Sequence, residues 1–174
     1  MKKTITFLTL ATILLTAFGI ASVGSGCGIY RFNDASIPDS IKSVKVNFIE
    51  NKASYINPQL SPKLTEKFRQ KILSQTRLVQ TNNDNADWEI SGTITQYSFS
   101  TSAIAGGQSA NNRLNVGIQL SLYDRKSDET KRVDVSRSWE FQGTKTVQAA
   151  EADLIEEMVR TLADEMFNKL FSNW

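Results

Sequence analysis

The sequence contains no histidine. The side chain best suited to moving a proton near neutral pH is therefore missing, and it is also the commonest metal ligand. No nucleophile elbow, HExxH helix or phosphate loop occurs either, and the adjacent carboxylates Glu156 and Glu157 point in different directions on a helix, as a solvated face does. An enzyme is thereby excluded, and nothing calls for a cofactor or a metal. Cysteine is nearly as scarce. Cys27 is the only one, so the chain forms no internal disulfide. Excess charge is lacking too: Lys2 and Lys3 sit in an N-terminal leader, and without them the Lys and Arg residues equal the 18 Asp and Glu residues. A balanced chain excludes general nucleic-acid binding, which needs clustered, uncompensated cations.

What is present begins with the leader. Met1-Lys2-Lys3 supplies a positive start, Ile5 to Ala21 an apolar core, and Ser22 to Gly26 a run of small residues, which together read as a secretory signal over residues 1–26. The apolar run is about 17 residues, shorter than the roughly 20 of a membrane-spanning helix. Cys27 follows directly, in the stretch GSGCGIYRF. Cleavage before it and acylation of its sulfur and new amino group is the economical account of a lone exported thiol. The stretch resembles the bacterial lipobox, with Gly24 where Leu is usual. Gly28, rather than Asp, comes next, and this resembles lipoproteins sorted to the periplasmic face of an outer membrane.

Residues 27–40 read as a polar tether, and 41–174 as a single domain with a core of ordinary size. Val44, Val46 and Phe48 alternate with polar residues as a half-buried strand does. A helix starts at Asn57-Pro58 or one turn later at Ser61-Pro62, carries Leu60, Leu64, Phe68 and Ile72 on one face, and ends near Gln75. Trp88, Ile90 and Ile94 share one phase while Tyr97 and Phe99 fall in the other, which predicts a bulge near Gln96 or a strand covered on both faces. Ser100 to Asn112 is small and Gly-rich and reads as a flexible hairpin loop. Leu114, Val116, Ile118, Leu120 and Leu122 then alternate strictly with polar residues, and Val133, Val135, Trp139 and Phe141 do so after a charged turn at 124–130. From about Gln148 to Phe171 an apolar stripe (Ile155, Met158, Leu162, Met166, Leu170) lies opposite Glu151, Glu156 and Glu157. The order β-α-β-β-β-α predicts an α+β two-layer sandwich, with two helices packed on one face of a four-stranded mixed sheet.

CGIYRF at the mature N-terminus, INPQLSPKLTEKFRQKILSQTRL as first helix and EADLIEEMVRTLADEMFNKLFSNW as last helix resemble the lipopolysaccharide-assembly lipoproteins of the LptE family. The resemblance implies an outer-membrane lipoprotein, held by its acyl chains on the periplasmic side. Such a protein sits in the lumen of a β-barrel translocon of the LptD type, helps that barrel assemble and assists delivery of lipopolysaccharide to the outer leaflet. A generic envelope lipoprotein, acting as adaptor for another complex, is the alternative. In the implied role, cations would meet lipopolysaccharide phosphates. The candidates are Arg113 beside the hairpin loop, Arg125, Lys126, Lys131 and Arg132 around the charged turn, and Arg137, which holds a position where an apolar side chain is expected. Tyr97 and Phe99, expected to be exposed, and Gln108 in the loop are candidate contacts with the barrel. Radiolabelled palmitate is expected to mark the full chain in cells, and Cys27→Ser to abolish the label; an unlabelled parent chain would contradict acylation.

Overall fold

The computed structural model describes residues 37–105 and 108–172. The leader, Cys27 and the tether up to residue 36 lie outside the described residues. The elements are β1 (Ser43–Val46), β2 (Glu50–Asn51), α1 (Leu60–Gln75), β3 (Val79–Gln80), β4 (Trp88–Ala105), β5 (Gln108–Asp124), β6 (Glu129–Gln142) and α2 (Val147–Phe171). The sheet has six strands rather than four, in the order β3-β1-β4-β5-β6, with β2 continuing along β4 beyond β1. The two extra strands are two residues each, too short to show alternation. β1 pairs in parallel with β3 and β4, while β4, β5 and β6 form an antiparallel meander, so the sheet is mixed as expected.

Alternation decides which face is covered. Val44, Val46, Ile90, Ile94, Leu114 to Leu122 in steps of two, Val135 and Trp139 all face inward and are buried. Both helices turn their apolar stripes to this side: Leu60, Leu64, Phe68 and Ile72 from α1, and Met158, Leu162, Met166 and Leu170 from α2. Each large side chain buried here contributes about 1.5–3 kcal/mol. Close approach is tightest at Gly92, where an added Cβ would stand 3.0 Å from Leu120 and 3.2 Å from Ile49. Lys63–Glu156 at 2.5 Å and Lys71–Asp164 at 2.7 Å span the two helices. No helix among the described residues is long and apolar enough to cross a membrane, which says nothing of strands.

Three expectations change. Phe48 is 55% exposed, because β1 ends at Val46 and Ile49 takes the inward place. Helix α1 starts at Leu60, between the two proposed starts, and Asn57 Oδ1 accepts from Gln59 N–H at 2.9 Å. Most of the segment 100–112 is strand rather than loop: the β4–β5 ladder runs on to Ala105 opposite Gln108, with register shifts near Thr101 and Ala103. Backbone pairing joins the two strands there and asks for no particular alternation of side chains.

At the opposite end Asp87 organises the chain entry. Its Oδ2 accepts from Lys42 N–H at 2.8 Å, Ser43 N–H at 3.0 Å and Ser43 Oγ at 3.1 Å, and Lys126 Nζ lies 3.2 Å from its other oxygen. These bonds, the Lys42 amide first, hold the carboxyl down at about 2 against burial's opposite push. A carboxyl depressed in the folded state adds stability above its unfolded value of about 3.9, and loses it as pH falls through the folded value. Asp87→Asn is therefore expected to lower the urea midpoint at pH 7, with the gap to the parent closing between about pH 4 and pH 2. A gap independent of pH would contradict this role.

Candidate functional site

Two features of the folded chain are unusual for a surface, and neither is a cleft. The first is the wet face of the sheet. Thr93, Ser98, Asn115, Gln119, Ser121 and Ser136 carry hydroxyls and amides across β4, β5 and β6, on the side opposite the helices. Between Glu89 and Arg113 there is no charged residue at all. Hydrogen bonds along this face are local, as in Gln96 Nε2 to Ser98 Oγ at 3.2 Å and Asn115 Nδ2 to Ser100 Oγ at 3.2 Å.

The second is a buried carboxylate at the end where α1 and α2 begin. A register shift between Ile94 and Gln96, the bulge that the phase change foretold, turns Tyr97 inward. Tyr97 is 1% exposed, so the expectation of an exposed barrel contact is corrected. Phe99 is half-buried and packs against the core. Gln108 opens β5, directly opposite Ala105. Tyr97 stacks on Tyr55 at 5.6 Å, Phe99 meets both rings edge-on, and Phe141 closes the row.

Glu151, expected on the wet side of α2, is instead buried beneath these rings. Its Oε1 accepts from Tyr97 OH at 2.7 Å and Asn57 Nδ2 at 3.1 Å, and its Oε2 from Tyr55 OH at 3.1 Å. Three neutral donors replace the water lost on burial, and no cation takes part in these bonds. Burial first, then the bond to Glu151 and its charge, push the Tyr97 phenol far above its ordinary value, and the same causes raise Tyr55. The cluster ties the segment before α1, strand β4 and helix α2 together through one carboxylate. In sequence Glu151 was indistinguishable from its acidic neighbours, and only its place one turn into the helix, in phase with Ile155 and Met158, hinted at burial.

The six candidate cations do not form one patch. Arg113 pairs with Glu140 at 2.7 Å near the distal hairpin. Eleven residues along β5, roughly 37 Å away, the charged turn begins at Asp124 and carries Arg125 and Lys126. Arg125 donates from Nε to Ala86 O at 3.1 Å and from Nη2 to Asp84 O, and lies over the Tyr123 ring. Lys126 is held by Asp87 and the Ser40 carbonyl. Lys131 Nζ donates to Leu170 O at 3.1 Å, satisfying a carbonyl at the end of α2. Arg137, in the inward phase of an edge strand, reaches past the sheet to Glu165 of α2, its Nε at 2.8 Å. Arg132, opposite Ser121 on the wet side, makes no ion pair among the described residues.

A family model described as LptE, lipopolysaccharide-assembly, matches residues 41–170. No curated protein matches the sequence. Among solved structures, a Xanthomonas campestris protein of the DUF330 family is similar at 7% identity, with 78% of this chain and 87% of that one covered and a TM-score of 0.54. The rare lipoprotein B of Shewanella oneidensis follows at 16% identity, 72% and 92% coverage and a TM-score of 0.42. The PelC dodecamer protein of Paraburkholderia phytofirmans is 12% identical, with 77% and 90% coverage and a TM-score of 0.48. At these identities the likeness concerns the fold.

Truncating Glu151→Ala strands the buried Tyr97 hydroxyl and is expected to cost about 1–3 kcal/mol in denaturant unfolding, with Glu151→Gln costing less because an acceptor remains. An alanine variant as stable as the parent would contradict the network.

Proposed function

Because this chain belongs to the LptE lipopolysaccharide-assembly family, we propose that it is an acylated outer-membrane lipoprotein that plugs and helps assemble a β-barrel translocon of the LptD type and assists lipopolysaccharide delivery to the outer leaflet. One observation supports this reading more than any other: β4 carries no charge beyond Glu89, and the outward side chains at the middle of the sheet are hydroxyls and amides in regular rows, while charges of both signs, among them Arg113, Arg132, Asp134 and Glu140, stand toward its margins. The lumen of a membrane β-barrel is polar, and a body that fills it must offer hydrogen-bonding groups without a large excess of either charge. Ion pairs across the helices and around the turn serve the same end, since Lys63, Lys71 and Lys126 each stand beside an anion.

The protein acts, on this reading, by fitting rather than by catalysis. Among the six candidate cations, Arg132 offers the readiest contact for a glycolipid phosphate; Arg125, Lys126, Lys131 and Arg137 would have to leave partners already in place. Arg113 would have to leave Glu140 likewise.

Affinity purification of the tagged full chain from membranes in mild detergent is expected to recover a large outer-membrane barrel in equal proportion. Recovery of the chain alone, or with a partner that is not a barrel, would overturn the proposal and favour the adaptor.

A further inference from the structure

The two long edges of the sheet differ in a way that the plug reading does not use. Strand β6 forms one edge, and it is guarded in the usual manner: Lys131, Arg132, Asp134, Arg137 and Glu140 place a charge at nearly every second position. The other edge passes from β3 to β1 to β2 and then, past the last β2 pair at Asn51 and Ile94, to β4 itself. From Gln96 to Thr101 no described strand pairs with the outer side of β4, and this stretch carries no charge and no proline. An uncharged edge whose outer backbone groups meet no strand among the described residues is a template for another strand, and a protein that did not use it would be expected to block it.

What lies on either side states which strand would fit. On the core side stands Tyr55, 38% exposed and packed on Tyr97 and Phe99, and next to it Ile56, 59% exposed. On the other side are Gln96, Ser98 and Ser100. An added strand would turn alternate side chains to an apolar shelf and the rest to a row of hydroxyls and an amide, so it must be uncharged and alternate apolar with small polar residues.

The geometry points to β4 from Gln96 to Thr101 as a docking edge that takes, by strand addition, an extended segment of the barrel partner before that barrel closes. This rests on the proposed partnership with a barrel. Strands of membrane barrels carry the required dyad alternation of apolar and polar residues. They also have a free edge only until closure, since a closed barrel has none. Backbone hydrogen bonds would supply attraction and the two flanking rows would supply register. The edge would thus give the assembling barrel a strand to pair with and release it on closure.

The test uses the full chain in cells that make the barrel. A benzophenone amino acid at Ser98 is expected to give an adduct whose barrel peptide alternates apolar and small polar residues, whereas the same group at Ser138 beside the guarded edge does not capture that peptide. The pair S98K and S100K, which adds two charges on the wet face of β4, is expected to cut the recovered barrel at least about tenfold. The pair S136K and S138K, on the same face but away from that edge, is expected to cut recovery less than about threefold, and both variants to melt at the parent temperature. Undiminished recovery with S98K and S100K, or equal loss from both pairs, overturns the docking edge while leaving the barrel partnership standing. No barrel with the parent chain overturns both. An adduct at Ser98 with a second copy of this chain, or with lipid, gives the edge a different occupant and also overturns the proposal.

Discussion

A strand that hides one face must show the other, and this constraint governs the molecule. Three long strands, β4 to β6, carry mostly apolar residues at alternate positions on the side that α1 and α2 cover. The helices have little choice of where to lie, since only that side offers apolar surface to their stripes. The uncovered side is then fixed in place and composition by the same alternation. It is a consequence of the core, yet it is the surface most exposed to whatever the protein meets.

Everything else in the structure trims the ends of this layered body. At the end where the chain enters, Asp87 collects backbone amides and Lys126, and Arg77 pairs with Asp39 and holds the carbonyl of Ile37. At the other end Glu151 draws Tyr55, Asn57 and Tyr97 together, which closes the core where β4 and β5 run on past the rest of the sheet. Beyond Asn111, the last β5 residue with a β6 partner, only two strands remain. A two-stranded ribbon is at best marginally stable alone in water, so the aromatic row at its base and the buried carboxylate beneath it matter for holding it out from the body.

The sequence made parts of this legible for clear physical reasons. Leu114 to Leu122 read correctly as a strand with one dry face because burial on one side imposes a period of two, and the stripe of α2 read correctly because burial imposes a period near 3.6. The bulge near Gln96 showed as a change of phase. Elsewhere pattern gave no guidance: the ends of β4 and β5, up to Ala105 and from Gln108, are paired by backbone bonds, which leave no trace in the sequence, and β2 and β3 are too short for any period. The site fared worse. Tyr97 seemed exposed because its phase was referred to Ile94 across the bulge. Glu151 resembled the acids around it; the inward phase of Arg137 already suggested a salt bridge to a neighbouring element, which Glu165 supplies, but the partners of Arg125 and Lys126, Asp84 and Asp87, are distant in sequence and left no sign. Partnership across elements is a property of the fold.

The protein that emerges is a charge-balanced, hydrogen-bonding body whose uncovered face is suited to a polar enclosure. Its family membership says what kind of assembly to look for, and the face says how it would be met. The most direct measurement introduces Gln119→Cys, in the middle of that face, and follows the reaction with a membrane-impermeant maleimide that it adds to that of the parent chain. The account predicts slow labelling while the protein sits in opened outer membranes and rapid labelling of the purified chain. Equal and rapid labelling in both would mean that the face looks out on water, and that nothing encloses it.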